Sequence, residues 1–317
     1  MKFVKLPIQQ RIDPFYFALE AHLLEKHEEV FFIWDVFDSV IIGKNQLLEN
    51  EVHLPYLKEN SIKVYRRPSG GGAVFNDYGC IKYSFISSRP KDEMYYVFLG
   101  IIKDFLSPYV TVAFSGRNDL VFEGMKFSGN AYYQTKDGHV LHGTILYDTD
   151  LSILTNVLNP SKLKLQSKGI ESVKSRVTNL KPYINLSRSE FRQKMDDYFQ
   201  QFETIELSKR DLKDVENRMH YFNSEAYIYG KNPKYGINIK ERYPYGEVDI
   251  YLEIKNQTIV DLSIHGDFFE KAPVAGLIEK IKGITYQNLE TIMDLNPSLY
   301  IEGMENKDLY NQIRKGF

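Results

Sequence analysis

The sequence predicts an α+β fold, because helix and strand signals alternate along it without a regular pattern. Two observations lead to this prediction. Apolar runs typical of strands lie between segments that carry helix-start signals, and the pattern changes character in the last quarter of the chain. At 317 residues the chain can bury a sizeable core, and two domains are expected.

The elements of the first half follow from local signals. Pro14 suits the first turn of a helix, so a helix is predicted from Asp13 to about residue 28. The apolar runs Phe31–Phe37 and Ser39–Gly43 are predicted as strands that pair with each other. Further elements are the strands Ser61–Tyr65, Ala73–Phe75, Cys80–Ile86, Val110–Phe114, Leu120–Phe122 and His139–Tyr147, and the helix Met94–Leu106.

Two helices are predicted in the middle of the second half. Ser187, with Glu190 three residues later, forms a capping-box signature for a helix that runs to about residue 202. A charged helical stretch follows over Ser208–Phe222. Residues 224–246 are rich in turn formers and are predicted to be a linker.

A small C-terminal unit is predicted after this linker. The strands Glu247–Ile254 and Thr258–His265 are joined by a three-residue turn and form a hairpin. Helices near Pro273–Lys282 and Tyr286–Leu295 complete the unit. The chain is therefore divided into a larger domain, 1–245, and a small α/β accessory domain, 246–317.

The composition argues against several classes of function. The formal net charge is −2 and the pI is near 6.4. The chain therefore lacks the excess of positive charge typical of proteins that bind nucleic acid or an anionic membrane surface. No segment reaches the ~18 consecutive apolar residues of a membrane span, and the N-terminal residues do not resemble a signal peptide. A single cysteine, Cys80, fits a reducing compartment, so a cytoplasmic protein is expected.

Residues 66–75 are the most informative stretch of the chain. Three consecutive glycines, Gly70–Gly72, follow Arg66, Arg67 and Ser69, and strands are predicted on both sides. Cationic side chains, a hydroxyl and unshielded backbone N–H groups suit an anion, most naturally a phosphate. The loop connects two strands and does not open a helix, which argues against a P-loop. An ordinary glycine-rich hairpin or bulge is the alternative.

Two further clusters carry candidate ligand-binding residues. In residues 117–131, Glu123-Gly124 predicts the turn of a hairpin, and Lys126 opens the returning strand before a small-residue step, Ser128-Gly129. Alone, Lys126 would be interpreted as a solvated surface lysine. In residues 139–147, His142 comes just before Gly143 in a predicted strand, where a buried core histidine is the alternative.

Together these clusters resemble the lipoate–protein ligase family. The resemblance rests on four motifs in order, and it extends from Asp13-Pro14 to the Gly266-Asp267-Phe268-Phe269 stretch near the end. The motifs are residues 66–74, 126–131, 142–146 and 168–180. The resemblance implies a biotin/lipoate ligase-like catalytic domain of mixed sheets with flanking helices, followed by an accessory domain that moves during the reaction.

The resemblance also implies a two-step acyl transfer. Lipoate and ATP would form lipoyl-AMP and pyrophosphate, and a lysine of an acceptor protein would then attack the mixed anhydride. Lys126 is the implied catalytic residue, because the family's lysine at this position contacts both the acyl carbonyl and the phosphate. The positions implied to bind ATP or lipoyl-AMP are Arg67, Ser69, Gly70, Gly71, Gly72, Ala73, Val74, Phe75, Asn76, Asn118, Asp119, Lys126, Ser128, Gly129, His142, Gly143 and Thr144.

The implied cofactors and partners complete the prediction. Magnesium is expected with ATP, and Asp119 is the candidate metal ligand. The acceptor would be an E2 lipoyl domain or a glycine-cleavage H-type carrier, and the acyl group lipoate or octanoate. Gly71, Gly129 and Gly143 are expected to leave room for the acyl chain. A basic rim among residues 162–176 is expected to steer the acceptor.

Two departures from the family pattern leave a different reaction open. The family usually has a histidine and an asparagine where this chain has Asn76 and Cys80. An ATP-independent octanoyl or lipoyl transferase that acts through Cys80 is the main competitor, although a buried, inert thiol is the favoured interpretation. The sequence is also compatible with a binding-only protein and with a biotin–protein ligase.

Overall fold

The computed structural model describes residues 1–26, 29–116, 118–158, 177–230 and 236–317. Its strands are β1 (Lys2–Val4), β2 (Gln10–Arg11), β3 (Val30–Val36), β4 (Ser39–Ile42), β5 (Lys63–Arg66), β6 (Val74–Asn76), β7 (Cys80–Ser87), β8 (Ala113–Ser115), β9 (Asp119–Phe122), β10 (Met125–Thr135), β11 (Gly138–Leu146), β12 (Glu203–Ile205), β13 (Ile237–Tyr243), β14 (Gly246–Lys255) and β15 (Thr258–Gly266). Its α-helices are Asp13–Leu24, Leu48–Glu51, Leu54–Glu59, Lys91–Leu106, Leu154–Val157, Arg188–Phe199, Lys209–Phe222, Glu225–Tyr229, Ala275–Ile281 and Asn306–Arg314. Short 3₁₀ segments lie at Lys181–Tyr183, Tyr286–Asp294 and Pro297–Leu299.

Within the described residues, nine strands form one large mixed sheet. Its order is β12-β1-β3-β7-β11-β10-β9-β8, with β2 added to β3. The central strands β3, β7, β11 and β10 are antiparallel neighbours, whereas β1 pairs in parallel with both β3 and β12. The two opposite faces of this sheet are each covered by an apolar cluster. The α+β class with mixed sheets is confirmed.

A small sheet of β5, β4 and β6 holds the glycine-rich loop. β4 lies in the middle, parallel to β5 and antiparallel to β6, so the loop from residue 67 to 73 crosses over β4. The prediction that the runs 31–37 and 39–43 pair with each other is wrong. The two-residue break between them does not make a hairpin, because β3 and β4 turn into different sheets.

The first helix, Asp13–Leu24, is buried on almost every side. It packs against the helix Lys209–Phe222 and against β3, β7 and β11 of the large sheet. It ends at Leu24, earlier than predicted, and residues 27 and 28 lie outside the described part of the chain. Because the helix lies on the sheet, its fully buried carboxyl groups, Asp13 and Glu20, point into the core.

The C-terminal sheet consists of β13, β14 and β15, which are antiparallel in that order. It has its own apolar core with residues from the helices Ala275–Ile281 and Asn306–Arg314. The predicted hairpin of the last two strands is confirmed. The prediction of a linker over 224–246 is wrong in part, because the helix Glu225–Tyr229 and strand β13 lie in it. A domain boundary at residue 246 stays a prediction.

The predicted capping box at Ser187 is present, with Glu190 returning a hydrogen bond to the Ser187 backbone. A second one is formed by Ser208 and Asp211 at the start of the helix Lys209–Phe222. The hairpin turn at Glu123-Gly124 has positive φ at both residues, 50° and 77°. Of the helices that the structure describes, none has the length and apolar character needed to cross a membrane.

Candidate active site

A cavity of about 320 Å³ lies between the large sheet, the first helix and the small sheet. Its walls are mostly apolar. They come from residues 17–177 of the larger part of the chain (residues 1–230, the catalytic half), with one residue, Phe269, from the smaller part (residues 236–317, the C-terminal half). The lining residues are Phe17, Trp34, Ile41, Arg67, Gly71, Gly72, Ala73, Val74, Phe75, Lys82, Asn118, Lys126, Gly129, Asn130, Ala131, His142, Gly143, Thr144, Leu146, Leu154, Leu158, Val177 and Phe269. A ligand here would lie on the sheet with the glycine-rich loop beside it.

The glycine-rich loop is held in shape by Arg67. Its guanidinium donates to the carbonyl oxygens of Gly70 and Gly72, both at 2.7 Å, and to the Ser69 hydroxyl at 3.1 Å. Burial lowers the pKa of Arg67 to about 10, and the nearby Asp267 carboxylate partly offsets this effect. Among the described residues, no group accepts a hydrogen bond from the backbone N–H of Gly70, Gly71 or Gly72. These N–H groups are the donors left for an anion.

Arg66 lies below the loop and does not line the cavity. Its buried guanidinium donates to the carbonyl oxygens of Gly43 at 3.0 Å and Gln46 at 2.6 Å, and to that of Ile228 at 2.8 Å. Burial lowers its pKa to about 10. Arg66 therefore joins two backbone segments that are far apart in the sequence, and its charge is not directed toward a ligand.

The glycines around the cavity lie close to other atoms of the protein. A Cβ on Gly143 would lie 2.2 Å from Asn130 Oδ1, one on Gly129 would lie 2.9 Å from Lys126 Nζ, and one on Gly71 would lie 2.8 Å from Arg67 Nη2. Gly71 also has φ of 90°, which favours glycine. All three line the cavity, and the sequence-based expectation that they leave space for an acyl chain stays a prediction.

Lys126 lies at the mouth of the cavity. It directly precedes a bulge in the pairing of β9 with β10, and its side chain lies across Gly129. Its Nζ is 2.7 Å from Asp119 Oδ1, and the two side chains are 36% and 31% exposed. The ammonium group is therefore held in place by a carboxylate and is still open to a ligand. Thr144 Oγ1 lies 3.3 Å from the Gly129 N–H on the neighbouring strand.

A chain of buried hydrogen bonds connects the first helix with the glycine-rich loop. His142 Nδ1 lies 2.9 Å from Glu20 Oε1, and His142 Nε2 lies 2.7 Å from Ser69 Oγ. With Nδ1 donating to the carboxylate, Nε2 is left to accept from the serine hydroxyl. Glu20 also accepts from the hydroxyls of Ser84 at 2.6 Å and Tyr133 at 3.2 Å. Glu20 thus fixes several groups below the cavity at once.

A second buried carboxyl group, Asp13, pairs with a lysine in the cavity wall. Lys82 Nζ lies 3.2 Å from Asp13 Oδ1 and 4.7 Å from the centre of the Trp34 ring. Ser39 donates to the other Asp13 oxygen at 2.7 Å, and Asn76 donates to the Ser39 hydroxyl at 3.3 Å. Asn76 is therefore part of the support of this ion pair and is not in the cavity wall.

The C-terminal half closes one side of the cavity. Phe269 lines it and lies against Gly71, and the Phe268 carbonyl fills the space where Gly70 would carry a Cβ. The Gly266 N–H donates to the Asn45 carbonyl at 2.9 Å. Two ion pairs, Lys44–Glu270 and Lys91–Glu302, join the same two parts of the chain.

The structure brings together most of the residues predicted from the sequence. Twelve line the cavity, namely Arg67, Gly71, Gly72, Ala73, Val74, Phe75, Asn118, Lys126, Gly129, His142, Gly143 and Thr144. Five lie just outside its wall, namely Ser69, Gly70, Asn76, Asp119 and Ser128. Their roles with a ligand stay predictions. Arg117 and the basic stretch 162–176 lie outside the described residues.

Sequence reasoning missed the apolar wall and several groups around it. Phe17, Trp34, Glu20 and Phe269 come from elements far from the glycine-rich loop, and only tertiary packing brings them to it. Lys82 had a signal in the sequence, because it is a charged residue in the middle of the apolar strand β7. Such a residue is rarely buried without a partner.

Cys80 is unsuited to nucleophilic catalysis in this structure. Its side chain is fully buried and does not line the cavity. Burial raises the pKa of its thiol to about 12, so the thiolate is strongly disfavoured near neutral pH. The interpretation of Cys80 as a small core residue is favoured over the thioester mechanism.

Comparisons with known proteins agree with this architecture. Residues 14–200 match the model of the lipoyl protein ligase A/B catalytic domain, and residues 232–313 match that of the bacterial lipoate protein ligase C-terminus. A protein of Mycoplasma pneumoniae named probable lipoate-protein ligase A is 37% identical, and the match covers 90% of this chain and 89% of that one. Lipoate-protein ligase LplJ of Bacillus subtilis is 35% identical, with 87% and 86% covered.

Solved structures show the same fold. P. falciparum LipL1 in complex with lipoate matches with a TM-score of 0.77 at 22% identity, over 99% of this chain and 98% of that one. A lipoate-protein ligase A bound with ATP matches with a TM-score of 0.61 at 21% identity, over 72% and 98%. An archaeal lipoate protein ligase from Thermoplasma acidophilum, studied with its E2 lipoyl domain, matches with a TM-score of 0.64 at 23% identity, over 74% and 98%.

The fold and the family matches define a ligase, an enzyme whose catalytic domain carries the cavity described above. More specifically, the chain belongs to the lipoate–protein ligase family.

Proposed function

We propose that this protein is an ATP-dependent lipoate–protein ligase. It activates lipoate to lipoyl-AMP with release of pyrophosphate, and it transfers the lipoyl group to a lysine of an acceptor protein. The observation that carries the proposal is the cavity, whose mostly apolar wall includes both Lys126 and the glycine-rich loop. The relatives named as ligases, and the structural neighbours that hold lipoate or ATP, support it.

The apolar part of the cavity is suited to the acyl chain. Phe17, Trp34 and Ile41 offer aromatic and aliphatic surface, and the transfer of an apolar chain from water to such surface is favourable by ~25 cal/mol per Å². Lipoate and octanoate both have a chain of this kind ending in a carboxylate. We propose that the chain lies on the sheet and that its carboxylate faces Lys126.

Lys126 and the glycine-rich loop would handle the charge of the reaction. A carboxylate and a triphosphate repel each other, so their reaction needs fixed positive charge and aligned N–H donors. The N–H groups of Gly70–Gly72 are available for phosphate oxygens, and Arg67 holds them in position through the loop carbonyls. The Lys126 ammonium, steadied by Asp119, would stabilise the oxyanion and the departing phosphate.

Magnesium would accompany ATP. Mg²⁺ is usually held by one or two carboxylates together with substrate phosphates. In the described part of the chain, no cluster of three His, Cys, Asp or Glu side chains has the spacing of a metal site. Asp119, a single carboxylate beside the cavity mouth, fits the sparse donor set that a phosphate-bound Mg²⁺ needs. It would hold the ion there, and the ion would neutralise phosphate charge.

The acceptor would be an E2 lipoyl domain or a glycine-cleavage H-type carrier. The structural neighbour studied with its E2 lipoyl domain supports the first of these. The single, buried cysteine fits a reducing compartment, and we place the reaction in the cytoplasm.

The test is pyrophosphate release from ATP with and without lipoate, for the wild type, Lys126→Ala and Cys80→Ala. We expect lipoate-dependent release that falls by a factor of about 100 to 1,000 in Lys126→Ala, because one donor to the developing charge is lost. Cys80→Ala should retain it. Absence of lipoate-dependent release from the wild type would refute the proposal. Acyl transfer from an acylated carrier that depended on Cys80 would then favour the transferase.

A further inference from the structure

The cavity contains amines of the protein itself. Two lysines of the described chain line it, Lys82 in the floor and Lys126 at the mouth, and each forms an ion pair with a carboxylate. If the proposed function holds, the cavity also holds lipoyl-AMP, a mixed anhydride that reacts with neutral amines. The protonated form of an amine has no lone pair and does not react. A lysine of the cavity that reacted in this way would compete with the acceptor protein for the acyl group.

Lys82 lines the same cavity as Lys126, two strands away in the sheet. It is directly opposite Thr144 on the neighbouring strand β11, and Thr144 Oγ1 contacts the Gly129 N–H one strand further on. Lys126 lies across Gly129. Neighbouring strands are ~4.8 Å apart, so the backbone at Lys82 is about 10 Å from the backbone below Lys126. A flexible lysine side chain crosses much of this distance.

Asp13 forms a buried ion pair with Lys82. The Lys82 side chain is 3% exposed and that of Asp13 is 1% exposed, so water solvates neither charge. The Asp13 carboxylate lies within hydrogen-bonding distance of Lys82 Nζ, and the face of the Trp34 ring makes a cation–π contact with it. Ser39 donates to Asp13 and fixes the carboxylate toward Lys82. Without the carboxylate, the Lys82 amine would have no opposite charge to compensate its burial.

We propose that Asp13 protects Lys82 from acylation by the enzyme's own product, so that Lys82 is a latent self-acylation site. This inference rests on the proposed function. When Asp13 is neutralised, the lone pair of Lys82 Nζ attacks the acyl carbon and a C–N bond forms. The bond between the acyl carbon and the phosphate oxygen breaks, AMP leaves with the electron pair, and the amine proton passes to AMP or water. The product is an amide of lipoate with Lys82.

The test compares acylation of Lys82 in the wild type and in Asp13→Asn, which removes the charge and retains the shape. Each protein is incubated with lipoate and ATP and, separately, with chemically prepared lipoyl-AMP, and acylated peptides are located by mass spectrometry. We expect at least a tenfold increase at Lys82 in Asp13→Asn. The double variant Asp13→Asn/Lys82→Met should lose this label. Asp148→Asn, which breaks an exposed ion pair with Lys181, should leave acylation of Lys181 unchanged.

The two incubations, with lipoate and ATP or with prepared lipoyl-AMP, distinguish a failure of this proposal from a failure of the proposed function. Absence of pyrophosphate release would refute the ligase reaction, whereas the prepared lipoyl-AMP would still test Lys82. If Asp13→Asn does not fold, Ser39→Ala provides the test, because it releases one oxygen of Asp13 and should raise the label at Lys82 by a smaller factor. Equal labelling of Lys82 in the wild type and in a folded variant, or no labelling in either, would overturn the proposal.

Discussion

The floor of the cavity and the contact with the C-terminal half both contain charged groups, but the two are built differently. In the floor, Glu20 is fully buried and binds Ser84, Tyr133 and His142. At the contact, the ion pairs are partly exposed, with Lys44 38% and Glu270 12% open to solvent. A buried charge deprived of its partners is costly, whereas an exposed ion pair contributes about 0–1 kcal/mol. Loss of the ion pairs at the contact is therefore expected to cost less free energy than loss of Glu20 below the cavity.

The apolar cores agree with this difference. The C-terminal half has a cluster of its own, built around Val248, Ile250 and Leu252. The two clusters of the catalytic half contain no residue after position 228 among the described core residues. Movement of the C-terminal half, which the family resemblance implies, would thus leave each core intact.

The largest expected effect is that of Glu20→Ala. This change leaves His142, Ser84 and Tyr133 without their buried acceptor, so we expect the free energy of unfolding to fall by about 3–5 kcal/mol. Urea denaturation measures it. Glu290→Ala, at an exposed position of the C-terminal half, is the control and should stay within about 0.5 kcal/mol. A loss below about 1 kcal/mol in Glu20→Ala would contradict the description of the floor as fixed.

A smaller loss of stability is expected when a methyl group is added at Gly143 in the cavity wall. Gly143→Ala would place its Cβ 2.2 Å from Asn130 Oδ1 and 2.5 Å from the Tyr83 hydroxyl, and we expect a loss of about 1–3 kcal/mol. Gly100→Ala is the matched control, because Gly100 lies in the helix Lys91–Leu106 with nothing within 4 Å of its Cβ, and it should gain about 0.5–1 kcal/mol. Thermal or urea unfolding of both variants shows whether local packing, and not the glycine-to-alanine change itself, determines the sign of the change in the free energy of unfolding.

The smallest effect on stability is expected at the contact. Glu270→Gln/Glu302→Gln removes both ion pairs and should cost less than about 1 kcal/mol for each pair. Hydrogen exchange of the backbone around Phe269 should nevertheless become faster, while exchange in β7 and β11 stays the same. High salt should reproduce the change in the wild type, because it screens exposed charges.

Glu253→Gln is the control for this pair of changes. Glu253 pairs with Lys255 inside the C-terminal sheet, so it has no part in the contact. Exchange around Phe269 should not respond to it. If the double variant and this control behaved alike, the ion pairs at the contact would not hold the two halves together.

Much of the fold was predictable, because its signals are local. The capping box at Ser187 and the turn at Glu123-Gly124 depend on a few adjacent residues, and both are present. Strand pairing was harder to predict. Phe31–Phe37 and Ser39–Gly43 look like a hairpin from their spacing, yet their partners are chosen by burial against distant strands. Pairing is a tertiary property that a run of apolar residues does not encode.

The candidate site was predictable to the same degree. Lys126 and the glycine-rich loop carry recognisable motifs, and the structure places both at the cavity. The motif did not reveal that the Arg67 guanidinium donates its hydrogen bonds to carbonyl oxygens of the loop, because these contacts depend on how the loop folds back. Glu20 and Phe269 lie in elements that no local pattern connects with the loop. Only the tertiary packing shows that Phe269 lines the cavity and that Glu20 contacts His142 in its wall.

Arg66 sets a limit on how far the two halves of the protein can separate. It fastens the backbone at Ile228 directly beneath the glycine-rich loop, and the next strand of the C-terminal sheet begins at Ile237. Nine residues of chain, even when fully extended, span at most about 30 Å. A C-terminal half released from the cavity thus stays tethered, with its first strand within this distance of Ile228. Its return is an intramolecular step at high local concentration, independent of how dilute the enzyme is.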